Sequence, residues 1–195
     1  MLKCLIMAGG KGTRFWPVST QEKPKQYTQL FSKKSLLQDT LYRLGSVTNK
    51  NDIYVVTVKN QLSLVKEQGK DLLVDKNIIL EPQGRNTAPC IFFGLVRLLA
   101  DGHHADDVVA VLPSDHVIMD KNGFDDTLNN AAKLAKEHMK IVTIGIKPSS
   151  AHTGYGYIQR GEQLSTGNRV LSFKEKPNLQ KAQEYIQDGR YLWNA

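Results

Sequence analysis

Cysteine is nearly absent: of 195 residues only Cys4 and Cys90 carry a thiol. Two isolated cysteines exclude a disulfide-dense secreted scaffold and any CxxC zinc or redox site, and they suit a reducing compartment. Long apolar runs are missing as well. The longest, Ile53 to Val58 and Cys90 to Val96, fall far short of the roughly 20 residues that span a bilayer. The N-terminus, MLKCLIMAGGKGTR, has too short an apolar stretch for a signal peptide and runs into a glycine loop where a cleavage site would stand. These absences predict a cytoplasmic protein with no membrane association. Acid is scarce in one place: residues 1 to 34 hold Glu22 alone against Lys3, Lys11, Arg14, Lys23, Lys25, Lys33 and Lys34, a net charge of +6. The other 161 residues hold 19 basic and 18 acidic groups, which is ordinary for a mixed-charge surface. With 41% hydrophobic and 23% charged residues, the chain is long enough to bury roughly two thirds of its unfolded surface as one globular domain.

A +6 segment calls for an anionic partner. Nucleic acid would be announced by basic residues along a helix face or among stacking aromatics. Here the basic residues punctuate glycines, whose backbone amides form a nest for phosphate. The expectation is a phosphate ligand and no nucleic acid.

Short apolar, β-branched runs alternate with helical patterns. Leu2 to Met7, Ile53 to Val58, Ile78 to Leu80, Val108 to Leu112 and Ile141 to Ile146 read as strands. Ser35 to Leu44, about Gln61 to Gln68, Thr87 to Ala100 and about Phe124 to His138 read as helices. Asn86 or Thr87 is the expected cap of the third, with Pro89 in its first turn. Alternation with nearly all-apolar strands predicts a layered α/β fold, its parallel sheet covered by helices on both faces. After Pro148, glycines 154, 156, 161 and 167 break up short strands at about Gly156 to Arg160 and Val170 to Lys174, an expected antiparallel excursion from the sheet. A helix over Asn178 to Gln187 stops at Gly189, and the closing run Tyr191 to Ala195 reads as a strand just beginning, which predicts a piece of a longer chain.

Ala8-Gly9-Gly10-Lys11-Gly12-Thr13-Arg14 follows the first strand at its carboxyl end, where open α/β sheets bind ligands. It is not a P-loop, since no Gly-Lys-Ser/Thr follows at the required spacing. Nor is it the dinucleotide fingerprint, because Phe15 stands where GxGxxG needs its last glycine. A nicotinamide dehydrogenase is disfavoured, and an ordinary turn with solvated Lys and Arg is the bland alternative. The continuation is more specific. GGKGTRFWPVS followed by KPKQ resembles the signature of sugar-1-phosphate nucleotidyltransferases. With EPQGRNTAP at 81–89, LPSDH at 112–116, TGYGYIQ at 153–159, FKEKP at 173–177 and the terminal WNA, the chain is most similar to mannose-1-phosphate guanylyltransferases, the GDP-mannose pyrophosphorylases. Phe15 replaces the family's more frequent Leu, one apolar side chain for another.

That resemblance implies a Rossmann-like three-layer sandwich with a mostly parallel mixed sheet, of the nucleotide-diphospho-sugar transferase type, cut short at its C-terminus. It implies a nucleotide-binding part at about 1–147 and the start of a sugar-binding part at about 148–195. The implied reaction is attack by mannose 1-phosphate on the α-phosphate of GTP, giving GDP-mannose and pyrophosphate. A phosphate monoester is already largely dianionic at neutral pH, its second pKa being about 6, so alignment and charge neutralisation matter more than a general base. By the resemblance, Arg14 and Lys25 are catalytic and Asp115 holds Mg²⁺. Ala8, Gly9, Gly10, Lys11, Gly12, Thr13, Glu81, Gly84, Arg85, Asn86 and Thr87 meet the nucleotide. Gly154, Gly156, Glu175, Lys176 and Asn194 meet the sugar phosphate. Guanine offers one acceptor, O6, beside donors at N1 and N2, so a site that selects it needs both kinds of group; residues 81–87 supply both. Lys33 and Lys34 read as a solvated face, and Cys4 and Cys90 as buried, inert thiols.

The family continues well past Ala195 and supplies a second metal-binding Asp there. The resemblance therefore implies that residues 1–195 bind nucleotide but turn over poorly or not at all by themselves. A homodimer is left open. The alternatives are a nucleotidyltransferase for another sugar 1-phosphate and nucleotide, a non-catalytic regulatory module that binds a nucleotide sugar, and a basic nucleic-acid module.

Overall fold

The computed structural model describes residues 2–10, 12 and 15–194. They fall into two compact units, Met1–Leu128 and Asn129–Ala195. In the first, β1 (Leu2–Met7), β2 (Ile53–Val58), β3 (Ile78–Glu81) and β4 (Val108–Pro113) form a sheet in the order β3-β2-β1-β4, parallel throughout. Side chains alternate across a strand, and the sheet accordingly divides two cores. Cys4, Ile6, Ile53 and Val55 pack on one face with Leu37, Leu41 and Leu44 of α1 (Leu36–Leu44) and Val65 of α2 (Leu62–Gly69). Leu5, Tyr54, Val56 and Ile79 pack on the other with Cys90 and Leu98 of α3 (Thr87–Ala100). Helices on both faces explain why the strands are nearly all apolar.

Local chemistry sets the helix ends. Ser35 caps α1 in a capping box, its side chain accepting from the Gln38 amide while Gln38 accepts from the Ser35 amide. At α3 the expectation needs correction. Asn86 stands at the N-cap with φ 64°, but its side chain makes no capping hydrogen bond, because the left-handed backbone turns it away from the β-region geometry that a cap uses. Gly94 lets α3 lie directly on Leu5, since a Cβ there would strike the Leu5 side chain. Leu5 is fully buried, so Leu5→Ala is expected to cost about 2–5 kcal/mol by urea unfolding. A loss below about 1 kcal/mol would mean that the α3 contact does not hold this face.

The opposite ends of the strands hold a charge that the sequence placed with the phosphate cluster. Lys3 is buried and pairs with Asp52 at 2.5 Å. β1 starts at Leu2, so this pair lies five residues of strand away from the glycine loop that follows Met7. One of the seven N-terminal cations is therefore neutralised at the wrong end of the strand to meet a phosphate.

α4 (Lys121–His138) begins in the first unit and ends in the second. In the second unit β5 (Gly156–Gln163), β6 (Asn168–Lys174) and β7 (Tyr191–Asn194) form an antiparallel sheet in the order β6-β5-β7. α5 (Leu179–Asp188), capped by Asn178 and ended by Gly189 at φ 73°, packs Ala182 against Tyr157, Tyr191 and Trp193. The antiparallel strands thus form a sheet of their own. The strand expected at Ile141 to Ile146 is a second correction, for only Ile146 is paired, through a bridge to Trp193. Ile141 is 97% exposed. A strand is stabilised by its cross-strand partner more than by its own propensity, and residues 141–145 have none among the described residues. Among those residues no helix is long and apolar enough to cross a membrane.

Candidate functional site

The loop after β1 meets three other segments of the first unit. Gly12 has φ 59°, and a Cβ there would collide with the backbone nitrogen of Lys25, so glycine is needed for both conformation and space. Ser19 donates to the Gly12 carbonyl at 2.5 Å. Gly9 is needed for a different reason: a Cβ would lie 2.6 Å from Oε1 of Glu81 at the end of β3. The expected nucleotide residues Ala8, Gly9, Gly10 and Gly12 and the expected catalytic Lys25 are thus brought together. Lys11, Thr13 and Arg14 lie outside the described residues.

Lys25 opens a single 3₁₀ turn, Lys25–Tyr27, after Pro24. Its ammonium lies 3.2 Å from Oδ2 of Asp115 and 4.7 Å from the centre of the Phe15 ring. Asp115 follows β4, where Ser114 N–H continues the ladder to the Met7 carbonyl at 3.2 Å. A cation and a carboxylate from segments ninety residues apart in sequence therefore meet at the carboxyl ends of neighbouring strands. His116 beside them is half-buried; burial lowers its pKa, and Asp115 opposes that shift. Mg²⁺ is commonly held by one or two carboxylates plus phosphate oxygens and waters. A lone Asp115, part-exposed and already facing a cation, fits that pattern. Among the described residues no group of three or more His, Cys, Asp or Glu gathers to make an all-protein cage.

Glu81 is 8% exposed, and burial raises its carboxyl above the ordinary value of 4.5. Gly84 comes near it, a Cβ there standing 3.8 Å from Oε1. Arg85 is exposed and bonds the Gln83 amide oxygen at 3.1 Å; Asn86 and Thr87 are exposed at the start of α3. Of the 81–87 segment, Glu81 sits against Gly9 of the glycine loop.

In the second unit Gly156 at the start of β5, Glu175 just after β6 and Asn194 at the end of β7 converge. A Cβ on Gly156 would lie 3.1 Å from Glu175 Oε2 and 3.8 Å from Asn194 Nδ2, and Gly156 and Asn194 are register partners. Lys176 pairs with Glu175 at 3.4 Å on an exposed corner with φ 39°. Gly154 donates its N–H to His152 Nδ1 at 3.0 Å, and the His152 ring stacks on Tyr155.

Three buried residues under the loop have no place in the expected site, namely Gln26, Tyr27 and Gln61. Gln26 stood inside KPKQ and Tyr27 directly after it, but Gln61 carries no motif, and only its polarity next to an apolar strand hinted at a role. The thiols are as expected: burial pushes Cys4 up to about 12 and Cys90 up to about 11, far from reactive.

The profile of the nucleotidyl transferase family matches residues 3–195. The chain is 41% identical over 195 residues to mannose-1-phosphate guanylyltransferase RfbM of Salmonella typhimurium, covering 98% of this chain and 40% of that one. It is 42% identical over 200 residues to mannose-1-phosphate guanylyltransferase of Klebsiella pneumoniae, covering 100% of this chain and 42% of that one. Among solved structures it is similar to a Thermus thermophilus protein described as a mannose-1-phosphate geranyltransferase, with a TM-score of 0.89, 33% identity, and coverage of 99% of this chain and 55% of that one. The chain spans about two fifths of the length of the two sequence relatives, at 40% and 42%.

Proposed function

The chain belongs to the nucleotidyl transferase family, and from that premise we propose that it carries the nucleotide-handling part of a mannose-1-phosphate guanylyltransferase, which joins mannose 1-phosphate to GTP and releases pyrophosphate. The observation that carries the reading is the meeting of Lys25 and Asp115 at 3.2 Å beside the glycine turn, with the Glu81 carboxylate against that turn's other side. Lys25 neutralises charge that develops between the α-phosphate and the departing pyrophosphate. Arg14 forks phosphate oxygens. Asp115 would hold Mg²⁺, which would supply further neutralisation of the polyphosphate. Glu81, when ionised, accepts from guanine N1–H and N2–H, two donors that adenine, cytosine and thymine do not present together. In the second unit Glu175 and Asn194 bond hexose hydroxyls, Gly154 and Gly156 leave room for the ring, and Lys176 holds the sugar phosphate. The reaction belongs in the cytoplasm on this reading, a compartment that suits a chain with only two cysteines.

Nucleotide choice checks the reading. The full-length protein, offered GTP, ATP, UTP and dTTP with mannose or glucose 1-phosphate, is expected to release pyrophosphate fastest from GTP with mannose 1-phosphate. Preference for dTTP, UTP or ATP removes the guanylyl reading, and turnover with glucose 1-phosphate above mannose 1-phosphate removes the sugar assignment.

A further inference from the structure

Beneath the glycine turn lies a buried hydrogen-bond set that the reaction above leaves unused. Gln26 is 4% exposed and Gln61 3%. Nε2 of Gln26 stands 3.0 Å from the Ala8 carbonyl, 2.9 Å from the Gly10 carbonyl and 3.1 Å from Oε1 of Gln61. Nε2 of Gln61 donates to the Gly10 carbonyl at 3.2 Å. The Tyr27 hydroxyl lies 3.1 Å from the Ala8 carbonyl and 3.0 Å from Gln61 Oε1, with Thr57 Oγ1 at 3.4 Å. Burial pushes Tyr27 up to about 12, so it remains a donor at neutral pH. The orientation of both amides is forced. Carbonyl oxygens only accept, so each must face a donor; the two protons of Gln26 Nε2 and the one of the Tyr27 hydroxyl are divided among the Ala8, Gly10 and Gln61 oxygens, and Gln61 Oε1 is an acceptor within reach of both.

We propose that Gln61, acting with Gln26, is a positioning residue of the nucleotide site that ties the Ala8 and Gly10 carbonyls to the core side of the turn. In a planar trans peptide the N–H points opposite to the C=O. Tethering the Ala8 oxygen therefore turns the Gly9 N–H away from the core, toward the mouth of the loop. Tethering the Gly10 oxygen keeps a negative dipole end away from the polyphosphate. Adjacent glycines would otherwise flip freely between amide-out and carbonyl-out states, and only the first attracts an anion. The device is preorganisation: the carbonyls are satisfied before the ligand arrives, and binding does not have to order the turn. The inference rests on the nucleotide reading of this loop.

Gln61→Glu tests it through pH. A protonated carboxyl keeps both functions, its C=O accepting from Gln26 or Tyr27 and its O–H donating to Gly10; the carboxylate keeps only the first and faces a carbonyl oxygen. Burial raises the pKa of the introduced group, which brings its titration into the accessible range. GTP binding is measured by calorimetry for both chains at pH 5 to 9. The ratio of variant to unsubstituted Kd is expected to stay near one at the acid end and rise at least about tenfold at the alkaline end. A flat ratio overturns the proposal. If the Glu variant does not fold, Gln61→Met carries the test, since it keeps volume and loses both polar ends. GTP binding about tenfold weaker at every pH supports the role, and unchanged binding overturns it. Failure of the unsubstituted chain to bind any nucleotide overturns the nucleotide reading itself, and this inference with it, so the two failures are told apart.

Discussion

Lys25→Ala in the full-length protein is expected to lower kcat for the proposed GDP-mannose formation about 10²–10³-fold, the usual effect of removing one preorganised donor from a developing oxyanion. The ammonium is held by its neighbours in the chain. The backbone of Lys25 abuts Gly12, its side chain lies over Phe15, and Asp115 fixes its tip at 3.2 Å. A solvated lysine would show none of these constraints, and its removal would change kcat by less than about threefold, in line with surface charges generally. Lys25→Arg should recover only part of the loss, because a planar fork does not replace a compact point charge in a site shaped for one. Stopped assays of pyrophosphate release separate these outcomes, and equal unfolding midpoints would show that the loss is chemical.

Glu81→Gln is expected to weaken GTP about 10- to 100-fold, the equivalent of about 1.5–3 kcal/mol for hydrogen bonds to a charged acceptor. The amide that replaces the carboxylate turns an NH₂ toward guanine's own donors. Stability should move the other way. Burial raises the Glu81 pKa above its unfolded value, so its contribution to stability is present below the unfolded pKa and is lost as pH rises through the folded one. At neutral pH the ionised group is a cost, and its removal leaves the melting temperature unchanged or higher. The same sign governs binding. On the proposed reading GTP needs the ionised form, so affinity should fall as pH drops through the raised pKa, and the Gln variant should not share that fall. A variant that loses stability and affinity together would make Glu81 a structural residue and not a reader of the base.

The sheet was legible because its signal is short-range. Leu2 to Met7 and Ile53 to Val58 are apolar on both faces, and they form β1 and β2 with those limits. Thr87 to Ala100 is likewise α3 as read. Ile141 to Ile146 has the same composition and is unpaired save for Ile146, since composition says nothing of which partner is present. Charge counting grouped Lys3 with Lys25 because both lie within 34 residues, yet β1 separates them, and Asp52, which no motif marks, neutralises the first. Asp115 and Glu81 were found by motif. That Gly9 exists to admit the Glu81 carboxylate, and that Gln61 serves the loop from beneath, are contacts between strand ends far apart in sequence. No local pattern encodes them.

The central claim is that a glycine turn, Lys25 and Glu81 form one site for GTP. Calorimetric titration of residues 1–195 with GTP, ITP and ATP in Mg²⁺ addresses it directly, since ITP differs from GTP only by the N2 amino group. The account predicts GTP tightest, ITP about tenfold weaker for the loss of one hydrogen bond to a carboxylate, and ATP weaker than both. Equal affinity for the three would contradict it, leaving a phosphate site with no reader of the base.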